Sequence, residues 1–206
     1  MIPKNWKEVT IELFTKLYPT FKTEEMTDTE IVDNKIKQLS YIKGISLEDA
    51  EMCTVSEGNK VKELLALPIP TKIVKLFKLN GITYRFNISS NDLNAGGYIG
   101  VMNAIKEDPI KNMHVTMFNL ATPVKYSWWR AKWVGYDFNP SEVGDRLEEF
   151  KQLPISIAYP IAVFFLTLSK VLTPVTQDYL SQSLEIMKKS LKETEEDLRS
   201  SDGLSL

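Results

Sequence analysis

His114 and Cys53 are the only histidine and the only cysteine in this chain of 206 residues. Between them they set a low ceiling on side-chain chemistry. One of each gives no zinc spacing and no convincing nucleophile–base pair visible in the sequence. His114 sits in KNMHVTMF, where Met113, Met117 and Phe118 mark a packed helix, so it reads as a core or boundary residue. Cys53, between Met52 and Thr54, reads as a small hydrophobe, and a lone cysteine excludes an internal disulfide. The carboxylate runs Glu148-Glu149 and Glu195-Glu196-Asp197 are adjacent in sequence, and adjacent helical residues do not face one another. Gly96, Gly97 and Gly100 in AGGYIG fit neither the dinucleotide fingerprint nor the Walker pattern. They read as small residues permitting close contact between helices. No catalytic set, metal site or cofactor site is expected.

The stretch Tyr126 to Pro140, YSWWRAKWVGYDFNP, carries a different kind of chemistry. Three of the four tryptophans, Trp128, Trp129 and Trp133, lie beside Arg130 and Lys132 and just before Tyr136. Base stacking would need these rings in a continuous positive groove, and the net charge of −2 argues against a dedicated nucleic-acid binder. A cage for a methylated ammonium would want flanking carboxylates, and Asp137 is the single one nearby. Aromatics with arginine are the residues enriched where proteins dock on proteins, and they equally fill cores. Core and protein interface both stay open on this stretch alone.

The elements that must hold these residues are mainly helical. Thr10 can cap a helix through Tyr18, and Ile31, Ile36, Leu39 and Ile42 line a second that Gly44 can end in the left-handed region. Ser46 heads a short helix, and another runs from Lys60 to Leu67. KIVKLFKLNGITYRFNI then alternates, giving strands Lys72–Leu79 and Ile82–Ile88 around Asn80-Gly81, the strongest short hairpin signal. Helices follow over NDLNAGGYIGVMNAIKED, from Pro109 over PIKNMHVTMFNLA, and from a Ser141 cap over EVGDRLEEFKQL. The Trp-rich stretch between them reads as irregular or strand-like. The fold class expected is mainly α, with one embedded antiparallel hairpin at about 72–88 and a long C-terminal helix.

LPISIAYPIAVFFLTL, Leu153 to Leu168, is 16 residues with two prolines. It falls short of the ~20 apolar residues a bilayer needs and reads as a buried helix. The start, MIPKNWKEVT, has no apolar signal region. Two units are expected, a body over 1–174 and an amphipathic helix with an acidic frayed tail over 175–206. From Val175 onward there are four basic residues against seven acidic ones, which leaves about +1 on the body. In that last helix Leu180, Leu184, Met187 and Leu191 alternate spacings of four and three, a short heptad seam suited to docking on a helix.

Taken in order, NWKEVTIELFTKL, QLSYIKGISLEDAE, FKLNGITYRFNI, IKNMHVTMFNLATPV with WVGYDFN, and LPISIAYPIAVFFLTLSKVL resemble a group of tailed-bacteriophage proteins, the tail-assembly chaperones or baseplate-associated proteins. The likeness runs over roughly residues 5 to 190. Where many relatives carry an arginine before the proline, this chain has Ala121-Thr122, which puts any partner contact of that arginine elsewhere. The resemblance implies a non-enzymatic morphogenesis protein that binds tail or other virion proteins, or a structural subunit retained in a head–tail or tail ring. It implies a place in the host cytoplasm during assembly or in the virion, with no nucleic acid, membrane or cofactor, and with self-association allowed. The partner-binding residues expected are Trp128, Trp129, Arg130, Trp133 and Tyr136, with the seam Leu180, Leu184, Met187 and Leu191.

Overall fold

A computed structural model describes residues 1–21, 26–88, 95–136 and 142–168. The C-terminal helix, its seam at Leu180, Leu184, Met187 and Leu191, the loop around 22–25 and the Ser141 cap lie outside the described residues.

The N-terminal helices follow local rules closely. Helix α1 (Ile11–Leu17) is capped by Thr10, whose Oγ1 accepts from the Leu13 N–H at 3.2 Å. Helix α2 (Asp28–Lys43) opens on a reciprocal capping box between Thr27 and Glu30, and closes on Gly44 at φ 66°. Glycine holds that left-handed angle without the Cβ penalty other residues meet. Helix α3 (Leu47–Glu51) is capped by Ser46. Helix α4 (Val55–Ala66) begins five residues before the expected start, because Thr54 and Glu57 form a second capping box. The N-terminal segment is tied to residues 153–155 by two backbone bonds. Ile11 N–H donates to Leu153 C=O at 2.9 Å, and Ile155 N–H donates to Val9 C=O at 2.7 Å.

The expected lone hairpin is corrected by the structure. The sheet has four antiparallel strands in the order β1 (Leu76–Leu79), β2 (Ile82–Phe86), β3 (Ala121–Ser127) and β4 (Lys132–Gly135). Asn80 and Gly81 make the first turn with φ of 47° and 83°, as the Asn-Gly signal demands. Strand β1 starts at Leu76 and not at Lys72, so the first hairpin is shorter than its alternating pattern. Helices α5 (Ala95–Glu107) and α6 (Met113–Leu120) pack on each other and lead into β3. The second hairpin is where the Trp-rich stretch lies. Ser127 pairs with Lys132, and Trp128–Arg130 form a single 3₁₀ turn between them. Pro123 is a strand residue. It tolerates the position because the β3–β4 ladder stops there, with Tyr136 N–H donating to Pro123 C=O at 3.1 Å and no bond asked of the missing proline N–H.

Helix α7 (Val143–Glu149) and a 3₁₀ turn at Phe150–Gln152 follow, and α8 spans 155–168. Pro154 precedes α8, a placement that loses no helical bond. Ile155, Ala158 and Ile161 of α8 are fully buried, as expected of a core helix. The sheet's own core is aromatic. Phe77 stacks on Tyr84 (5.3 Å between centroids) and on Phe86 (4.5 Å), and Phe150 meets Tyr84 edge-on at 5.1 Å. Phe118 of α6 closes on Phe150 at 5.6 Å.

Candidate docking surface

The residues that could do bond chemistry are dispersed and occupied. His114 faces Lys111 C=O at 3.1 Å through Nδ1, and burial together with the Lys151 charge pushes its pKa down. It borders a cavity of about 180 Å³ with Lys16, Lys111 and Lys151. Each of those lysines is paired, with Glu12 at 2.8 Å, Asp108 at 3.7 Å and Glu148 at 2.5 Å, so the pocket gathers little net positive charge. Cys53 lies before α4, its Sγ 3.2 Å from Lys43 Nζ. The same ammonium reaches Glu57 at 2.6 Å and, with the Thr54 backbone N–H, holds the Glu57 carboxyl down at about 2. Glu57 and Lys43 also border a cleft of about 710 Å³ floored by Leu64 and Leu67 and flanked by residues 1–4. Among the described residues no cluster of histidine, cysteine and carboxylates could hold a metal. Of the glycines in AGGYIG, Gly100 has a close neighbour. A Cβ there would lie 2.6 Å from Asn119 Oδ1, so the glycine lets α5 and α6 approach. The adjacent carboxylates serve separate ion pairs, Glu148 with Lys151 and Glu149 with Arg146.

The second hairpin assembles a surface of another kind. Tyr126 and Trp133 sit directly across the β3–β4 pair, their rings 5.5 Å apart and inclined at 72°. Trp128 meets Tyr126 edge-on at 5.2 Å. These are favourable aromatic geometries, yet the rings are open to water, Trp128 at 85% and Trp133 at 37% of full exposure. Strand alternation explains how they escape the core. Tyr84 pairs with Pro123, so Pro123 and Lys125 share the face that carries Phe77, Tyr84 and Phe86. Tyr126 and Trp133 therefore lie on the opposite face. On the core-side face beyond the aromatic core, Lys125 Nζ lies 6.0 Å from the Tyr136 ring centroid, within reach of a cation–π contact.

The electrostatics are one-sided. Residues 121–136 hold Lys125, Arg130 and Lys132 and no carboxylate. Among the described residues none of the three is ion-paired. All three are exposed.

The structure therefore brings together Trp128, Trp133, Arg130 and Tyr136 on one hairpin, while the Trp129 side chain and the four seam residues of the last helix lie outside the described set. Sequence reasoning missed Tyr126 as the hub of the ring contacts, and Lys125 and Lys132 as the cations on the other face. Their alternation at 125, 126, 132 and 133 was the available signal, obscured by the turn between the strands.

No protein-family model, curated protein or solved structure matches this chain. Among the described residues no helix is long and apolar enough to cross a membrane.

Proposed function

We propose that this chain is a non-enzymatic docking protein whose second hairpin covers and presents apolar contact area to other proteins. The tailed-phage assembly role implied by the sequence resemblance is the setting we favour, with virion proteins as partners. The observation that carries the reading is the Tyr126–Trp128–Trp133 cluster, two tryptophan rings joined through Tyr126 and left exposed on a hairpin whose cations have no ion pair among the described residues. Burying one such ring against a partner is worth roughly 3 kcal/mol gross, and tryptophan, tyrosine and arginine are the residues that dominate binding energy at interfaces. The mechanism is masking. A partner's exposed apolar surface is held against the rings until its proper neighbour displaces it.

A photo-cross-linking phenylalanine analogue at position 128, irradiated in cells assembling the virion, tests this directly. Adducts to a protein are expected at 128, absent when the analogue stands at the similarly exposed Met52, and lost when Tyr126→Ala and Trp133→Ala accompany it. Adducts to a second copy of the chain would favour the retained ring subunit over the transient chaperone. Absence of protein adducts, or turnover of a small molecule abolished by a single substitution, would overturn the reading.

A further inference from the structure

Strand β4 is the last in the sheet order, so among the described residues one of its two edges has no strand beside it. The register shows which groups line that edge. Tyr136 N–H donates inward to Pro123 C=O, and backbone direction alternates along a strand. Val134 and Lys132 therefore also bond inward to β3, while Trp133 and Gly135 turn their N–H and C=O outward. No described residue accepts from or donates to those outward groups. Such an edge is a template for another strand.

We infer that the open edge of β4 receives an extended segment of a partner protein as a fifth, antiparallel strand, and that this segment alternates acidic and apolar residues. The inference rests on the docking reading above and specifies its partner. Its two halves come from the two faces of the hairpin. Residues of an added strand that lie opposite Trp133 and Gly135 share the face of Tyr126 and Trp133, where apolar side chains are covered. Residues between them share the face of Lys125 and Lys132, where neither cation is ion-paired among the described residues. Cross-strand pairs of opposite charge and of aromatic with β-branched residues each add stability to a sheet. The main-chain bonds supply affinity and the alternating side chains supply selectivity. The parity yields a sharper consequence. In antiparallel pairing, the only kind this sheet uses among the described strands, the apolar residues of the guest exchange hydrogen bonds with Trp133 and Gly135, so their N–H groups point at β4 and those of the acidic residues point away.

Fluorescence anisotropy of the full chain with short labelled peptides tests each part. A peptide alternating glutamate and valine is expected to bind at least about tenfold more tightly than one alternating lysine and valine. N-methylation of its valine amides should abolish binding, whereas N-methylation of its glutamate amides should leave it intact. Lys125→Glu combined with Lys132→Glu should invert the preference between the two peptides. Equal tolerance of both methylated series would mean side-chain contact without strand addition and would overturn the inference. So would tighter binding of the lysine–valine peptide, or binding of labelled oligothymidylate alone. If the glutamate–valine peptide fails while position 128 still cross-links to a protein, strand addition falls and the docking reading stands. If both fail, both fall.

Discussion

The sheet carries two aromatic clusters, and they have opposite fates. At the first hairpin Phe77, Tyr84 and Phe86 are almost wholly buried, with Phe150 set edge-on against Tyr84 and Phe118 behind it. At the second hairpin Tyr126, Trp128 and Trp133 make contacts of similar geometry and stay in water. Residue type does not separate them. What separates them is which face of the sheet they occupy and what else packs there. The face of Tyr84 is covered by the α6 end and the turn at Phe150–Gln152, while no described residue closes over the Trp128 ring to a comparable degree. Ring–ring contact is therefore common to both, and burial is the difference that turns one cluster into core and leaves the other available.

The largest test of that contrast is truncation. Tyr84→Ala or Phe150→Ala removes a ring from a closed site and should cost about 3–5 kcal/mol, read as a fall in the urea midpoint. Trp128→Ala should stay within about 0.5 kcal/mol of the parent, because its ring leaves no cavity. A large loss from Trp128→Ala would return the second cluster to the core and remove the basis for docking.

A second test uses the proton on Tyr84. Burial pushes its pKa up to about 12, against about 10 in an unfolded chain. Between those values the folded state keeps a proton that the unfolded state has released. Stability contributed by the neutral phenol is therefore complete below pH about 10, falls as pH rises toward about 12 and levels beyond it, by on the order of 2 kcal/mol. Tyr84→Phe should flatten that part of the alkaline unfolding profile. A slope unchanged by Tyr84→Phe would show that the first cluster opens to water before the phenol ionises.

How much of this could be read beforehand follows the same division. The first hairpin was legible because its turn needs two positive φ angles and Asn80-Gly81 advertises them. The second hairpin hides its turn. Its left-handed residue is Ala131 at φ 47°, a type that gives no turn signal and bears a strain of roughly 1 kcal/mol. Pro123 gave no strand signal, since a proline's effect depends on where the neighbouring ladder ends, and the local sequence does not carry that. Helix starts at Thr10, Thr27 and Thr54 depend on bonds within four residues, so the caps are readable wherever the side chain and its target are close in sequence. The start of α4 was still placed late, because the apolar period begins after its capping box. For the site, Trp128, Trp133 and Arg130 were visible as types. Their exposure was not, because it depends on strand parity set by a pairing from Tyr84 to Pro123, far apart in sequence.

The smallest effect should come from charge, and it contrasts two arginines. Arg146, on α7, is fixed by Glu149 at 3.1 Å and Glu142 at 3.3 Å, and its own pKa is raised, chiefly by the bond to Glu149. Arg130, on the second hairpin, has no such partner among the described residues. Surface ion pairs contribute little singly, but a guanidinium shared between two carboxylates keeps a defined geometry. Arg146→Gln should therefore lower the urea midpoint by a small amount that shrinks as salt is added, since screening weakens the lost pairs in the parent as well. Arg130→Gln should leave the midpoint where it is at every salt concentration and weaken only the capture of an acidic guest. Were the two substitutions to act alike on stability, Arg130 would have a carboxylate partner in solution, and the cationic half of the docking surface would already be satisfied from within the chain.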